Sequence, residues 1–183
     1  QAVISTFPYE ERGAFESDDP VLNAVFDLSR YTLRLCSNDC LMDTPWREQA
    51  QWLGDSSLVT VPAIHSCFGD EALSRKFFMQ SGKNQHPTGM FSNMSNTVSH
   101  NWLRAVPDFS LWWIHGLLEQ FLYTGDEALL CRLYPQVLRV LDAHLDHINE
   151  DGLIEEMPYW VLIDWADLDH RGISSPYNAI FYS

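Results

Sequence analysis

The hexapeptide FGDEAL at residues 68–73 returns as TGDEAL at 124–129, 56 residues later, and each copy lies between two stretches with the 3.6-residue apolar period of a helix. In each copy the glycine suits a left-handed helix end and the aspartate suits a cap for the next helix. The second helix of each pair then leads to a glycine turn, PTGMF at 87–91 and EDGLI at 150–154. A helical hairpin recurring at such a period cannot bury its apolar face alone, so neighbouring hairpins must stack. The chain is therefore expected to be all-α and built of helical hairpins. VPAIHSCF and MPYWVLI hold short apolar runs, but no strand-rich segment competes.

Spacing and capping residues set the expected elements. Val21, Leu22, Val25, Phe26 and Leu33 follow the i, i+3, i+4 rule behind Asp19 as cap and Pro20 as first helical residue. A second helix is expected from Pro45 to Ser66, capped by Thr44, and a third from Asp70 to Ser81. Residues 82–107 read as a long loop of Gly, Pro, Asn, Ser and His, with a functional role. Helices resume over Asp108–Tyr123 and Glu127–Ile148, and another begins near Ser174. It stops among apolar residues, as part of a larger domain would, and apolar edges are expected to be exposed.

With 25 acidic against 11 basic residues and a formal charge of −14, the chain is a poor partner for a phosphate backbone. A neutral or cationic ligand fits better. No apolar run is long enough to span a membrane and no secretory signal opens the chain. Gln1 in place of Met suggests a processed product or an excised piece. A soluble protein of the bacterial cytoplasm or periplasm is expected, with the compartment left open. Cys36, Cys40, Cys67 and Cys131 form no zinc pattern and are expected to be buried thiols, Cys36 and Cys40 at helical spacing. The seven histidines, His100 and His170 among them, are scattered and read as surface or core residues, including the i, i+3 pair His144 and His147. Asn93-Met94-Ser95 matches a glycosylation acceptor, a pattern common by chance. No cofactor or metal is expected.

The richest chemistry lies in DTPWREQAQWLGD at 43–55. On a helix, Glu48, Trp52 and Asp55 would share one face at i, i+4 and i+7. Two carboxylates beside an indole suit a site that grips a sugar and moves protons around it. Asp43 precedes that helix and can fold back toward Glu48, while Arg47 can hold either acid. A helix dipole would favour ionised Glu48, and burial against Trp52 with repulsion from Asp43 would oppose it. The plainer alternative is that Asp43 is a cap and Arg47–Glu48 a surface pair. In PDFSLWW at 107–113, Asp108 can cap a helix and face a cavity. Trp112 and Trp113 point about 100° apart, so at most one faces a central site. In the loop-like YWVLIDWADLDHRG at 159–172, Trp160, Asp164 and Trp165 offer two stacking surfaces and an acceptor for sugar hydroxyls. Asp167, Asp169 and Arg171 read as a solvated or ion-paired run.

With these motifs the chain resembles the catalytic domain of bacterial α-L-rhamnosidases, inverting glycoside hydrolases with a six-hairpin (α/α)6 barrel. The resemblance runs from FESDDPVLNAVFDLSRYTLRLC through DTPWREQAQWLGD, PDFSLWW and FLYTGDEAL to IDWADLDHRGISSPYNAIFY. Thr44 stands where the family usually has Cys. The resemblance implies that residues 1–183 form the first half of such a barrel. It implies Glu48 as the general acid, with Asp43 and Asp55 binding rhamnose hydroxyls, and Arg47 and Trp52 as subsite residues. Trp160 would belong to an aromatic wall beside the sugar, and Asp108, Asp164 and Trp165 match further conspicuous positions. The family's general base is a glutamate in the second half of the barrel, where Glu155 and Glu156 do not fall. A rhamnose-containing glycoside and the rest of the barrel are the implied partners, with a homo-oligomer as a further option. Rival readings are a hairpin-barrel glycosidase for another sugar, a non-catalytic carbohydrate-binding barrel, and a scaffold whose acids only cap helices.

Overall fold

A computed structural model describes residues 3–95, 105–169 and 171–183. Gln1, His100 and His170 lie outside the described residues, as does the 96–104 part of the expected loop. The fold is all-α. Helix α1 spans Pro20–Leu35, α2 is a single turn at Leu53–Asp55, and α3 spans Val61–Phe68. Then come α4 (Ala72–Gly82), α5 (Pro107–Thr124), α6 (Glu127–Leu145) and α7 (Ser175–Tyr182).

The repeat builds two stacked hairpins. Helix α3 turns through Gly69 at φ 57° into α4, and α5 turns through Gly125 at φ 67° into α6. Asp70 accepts the amide of Ala72 at 2.9 Å, and Asp126 accepts that of Leu129 at the same distance. Helix α3 packs on α5 and α4 on α6, and Arg75 of α4 reaches Asp126 at 2.8 Å. The buried residues of α6, Leu129, Leu133, Val137, Val140 and His144, recur at helical spacing and face the core. Helix α5 is central, touching α2, α3, α4, α6 and α7. Trp113 is fully buried there and donates to Ser81 Oγ at 2.7 Å, while Trp112 is only partly buried. Burying hydrophobic side chains of this size stabilises by roughly 1.5–3 kcal/mol each, which makes α5 the main organiser of the core.

At the other extreme, α1 begins at the expected cap, with Asp19 accepting from Val21 N at 2.8 Å, yet none of its residues is buried. Phe26 and Leu33 pack against the core, and Arg34 lies over the Phe68 ring. Val21, Leu22, Val25, Leu28 and Tyr31 stand exposed.

Several expectations need correction. The helix expected from Pro45 does not form until Leu53, for reasons that belong to the site below. Between α2 and α3 the chain winds as a π-helical stretch over Ser56–Thr60. Pro62 follows it and has no N–H to give the Leu58 carbonyl, which suits a widened ladder. Helix α6 stops at Leu145, three residues early. The start of the expected long loop carries isolated bridges, Gln85 to Phe91, Trp52 to Met94 and Ser92 to Ala105. Only Cys36 and Cys67 are buried thiols. Cys131 is exposed because it lies on the face of α6 opposite Leu129 and Leu133, and Cys36 ends α1 while Cys40 falls in the bend beyond it. Asn93 is 6% exposed, with its carbonyl accepting from Leu53 N, so its motif is not an accessible glycosylation site. No described helix is long and apolar enough to cross a membrane.

Candidate active site

Residues 43–52 fold as a closed loop leading into a helix. Asp43 is paired twice with Ala50: its N–H donates to the Ala50 carbonyl, and its carboxylate accepts from Ala50 N, both at 3.0 Å. Within the loop, Thr44 Oγ1 accepts from Glu48 N at 3.3 Å, so Thr44 caps a turn rather than a helix. Gln49 takes a left-handed φ of 51°, which interrupts any helix begun at Pro45. Gln51 is fully buried. Its Oε1 accepts from Leu41 N at 2.9 Å, and its Nε2 donates to Gln80 at 3.1 Å and to Ser95 at 2.6 Å. Side-chain and long-range partners thus take up backbone groups that a helix would have used.

The loop still brings the expected side chains together. Trp52 Nε1 donates to Glu48 Oε2 at 2.6 Å, and the Arg47 guanidinium pairs with the other oxygen. The Glu48–Trp52 contact inferred from i, i+4 spacing is real, but a turn makes it rather than a helix face. Arg47 is mostly exposed, while the Glu48 side chain is 26% exposed. Asp55, at the end of α2, reaches solvent, yet the protein around its carboxyl raises its pKa above the ordinary 3.8. Its own backbone N–H opposes this shift, and the charges of Asp43 and then Glu48 add to it. Asp43 and Glu48 therefore both sit within electrostatic reach of Asp55, and Glu48 also holds the Trp52 indole.

Helix α5 joins this cluster to the second aromatic region. Phe109, in its first turn, meets Trp52 edge to face at 6.2 Å between centroids. Gly54 permits the approach, since a Cβ there would lie 2.6 Å from the Phe109 ring. Asp108, next to Phe109, does not cap α5, whose N-cap is Val106. Its buried carboxylate accepts from the amides of Leu162 and Ile163 at 3.0 and 3.1 Å. That corrects the expectation of a cap facing a cavity. The loop it holds carries Trp160, half-exposed, and Trp165, 83% exposed, with ring centroids 5.4 Å apart and tilted 59°. Asp164 is exposed and accepts from Trp165 N at 2.7 Å. A cleft of about 430 Å³ opens beside Trp160, with Met157, Tyr159 and Tyr177 in its wall. Asp169 and Arg171 pair through two contacts of 2.9 Å, as a solvated run should.

Some participants carried no usable sequence signal. Gln51 sits between two tryptophans with nothing to mark it as buried. Phe109 looks like any core aromatic. His144 is buried, and burial holds its ring below the usual histidine range. Its Nδ1 lies 2.6 Å from the Val140 carbonyl and so carries the proton, leaving Nε2 to accept from Tyr177 Oη at 2.5 Å. Among the described residues no group of three or more His, Cys, Asp or Glu could hold a metal ion.

Comparison with known proteins places this arrangement. Residues 10–180 match the family described as the bacterial alpha-L-rhamnosidase six-hairpin glycosidase domain. An alpha-L-rhamnosidase of Formosa agariphila is 22% identical over 182 residues, covering 90% of this chain and 18% of that protein. The crystal structure of a GH78 family rhamnosidase of Bacillus sp. GL1 is 31% identical with a TM-score of 0.86, covering 96% of this chain and 18% of that one. A rhamnosidase from Klebsiella oxytoca, solved with rhamnose bound, is 25% identical with a TM-score of 0.74 over 87% of this chain and 31% of that one. The chain thus spans under a third of each of these relatives.

Proposed function

This chain belongs to the bacterial α-L-rhamnosidase six-hairpin glycosidase domain family, and from that membership we propose that it is part of a glycoside hydrolase releasing terminal α-L-rhamnose with inversion. Glu48 is the general acid, protonating the glycosidic oxygen as the bond to the sugar breaks. Trp52 Nε1 and Arg47 hold its carboxylate in one orientation. Asp43 and Asp55 bind sugar hydroxyls. Trp160 and Trp165 form the aromatic wall, with Asp164 between them. The resemblance puts the general base, a glutamate, outside these 183 residues. The observation that carries the reading is Glu48, bonded to Trp52 Nε1 and Arg47, with Glu48 and Asp43 both within electrostatic reach of Asp55. The Klebsiella relative's bound rhamnose supports the choice of sugar.

The exposed apolar stripe of α1, Val21, Leu22, Val25 and Leu28, supports placing residues 1–183 in a larger barrel whose remaining helices cover that face. A second reading has its own observation. Burial and its acidic neighbours push the Asp55 carboxyl up, the direction of shift a proton donor needs.

Glu48→Gln and Asp55→Asn in the full-length gene product separate the two readings. Loss of the acid should cut kcat on p-nitrophenyl α-L-rhamnoside at least about a hundredfold with KM little changed. A 2,4-dinitrophenyl rhamnoside, whose leaving group needs no proton, should recover most of that loss. If Asp55→Asn alone shows this pattern, Asp55 is the acid. If neither variant loses turnover, the site is not catalytic.

A further inference from the structure

Asp108 is fully buried in the first turn of α5, but its carboxylate serves a different element. Removing a carboxylate from water is costly unless strong donors meet it, and here the amides of Leu162 and Ile163 do so at 3.0 and 3.1 Å. Those amides belong to a contorted segment. Glu156 at φ 53°, Tyr159 at φ 80° and Ile163 at φ 55° all take left-handed backbone conformations without being glycine. For a β-branched residue such as Ile163 this is an outlier, and such a conformation persists only where the surroundings hold it. The charge of Asp108 also reaches Tyr177, whose hydroxyl meets the buried ring of His144 at 2.5 Å. The anchor and the wall beside it are therefore fixed by the core of the hairpins.

We propose that Asp108 is a positioning residue, a clamp that fixes the backbone at 162–163 so that Trp160 on one side and Asp164 and Trp165 on the other are presented to the sugar. The clamp rests on the reading of these three as sugar contacts. It removes Asp108 from the list of residues that touch substrate.

The test is a substitution cycle in the full-length product. Asp108→Asn keeps the shape but turns one acceptor into a donor facing an N–H. It should raise KM for p-nitrophenyl α-L-rhamnoside about tenfold while changing kcat less than about threefold. In a background lacking all three side chains, Trp160→Ala, Asp164→Ala and Trp165→Ala, the same substitution should add less than about twofold, because the side chains it positions are gone. A tenfold penalty that persists in that background overturns the clamp. Trp160 emission, obtained by subtracting the spectrum of the matching Trp160→Phe variant, should shift to the red when Asp108 becomes Asn. Unchanged emission also overturns the clamp. If the triple background itself leaves KM unaltered, the sugar-wall reading fails and the emission alone decides. If Asp108→Asn does not fold, Asp108→Glu, which displaces the oxygens but keeps the charge, is judged by the same emission shift.

Discussion

Residues 43–52 and residues 124–129 face the same task, leading the chain into a helix, and accomplish it by opposite means. At 124–129 the partners that turn the chain are local, although Asp126 also pairs with Arg75 of α4. Gly125 takes the left-handed turn, Asp126 caps Leu129, and Thr124 Oγ1 accepts from Asp126 N at 3.2 Å. At 43–52 the decisive partners are distant. Gln51 reaches Gln80 and Ser95, and the Leu53 amide goes to the Asn93 carbonyl. The first turn is written in six consecutive residues. The second exists only once α4 and the 91–95 segment are already in place. Helical spacing alone therefore describes the first correctly and the second wrongly.

The contrast is sharpest at Gln51. Replacing it with Leu keeps the bulk but leaves the Leu41 amide, Gln80 and Ser95 without their buried partner. The expected loss is about 3 kcal/mol in chemical denaturation. A loss as small as that of a surface substitution would mean that the loop is locally encoded after all. Gly125→Ala should cost less, about 1–2 kcal/mol, because the space around it is open and only the positive φ resists. A neutral result there would remove the local half of the comparison.

Smallest is Asp126→Ala, which should cost about 1 kcal/mol through the lost cap. This effect carries a pH signature. The Leu129 amide first, and then Arg75, hold the Asp126 carboxyl below its ordinary 3.8. Its stabilisation is therefore fully present above that value and is lost as pH falls through the lower folded pKa. The difference in Tm between parent and variant should hold steady from neutral pH down toward 4 and shrink below it. A difference that persists in strong acid would assign the effect to something other than the carboxylate.

The same division governs what could be read from the sequence. Helices α1, α4, α5, α6 and α7 follow from apolar spacing with Asp, Pro and Gly at their ends, because those signals act within one or two turns. The residues of the candidate site were legible as a motif, and their mutual arrangement was not. Glu48 and Trp52 do meet, but through a turn whose shape depends on Gln49 taking a left-handed φ and on Gln51 finding α4. Asp108 was legible as notable and misread in role. Its partners, Leu162 and Ile163, lie more than fifty residues away, and no local pattern announces them. His144 was read as a surface or core histidine and is indeed buried, but its partner, Tyr177 on α7, was not legible.

The first turn of α5 touches the Glu48–Trp52 cluster through Phe109 and the Trp160 loop through Asp108, from adjacent residues of one rigid helix. Two surfaces hung from neighbouring rungs of the same ladder share its displacements. A tilt or slide of α5 moves both in the same sense, so the gap between them changes far less than either position does. Breathing of the surrounding hairpins is thereby largely filtered out of the distance between the two surfaces.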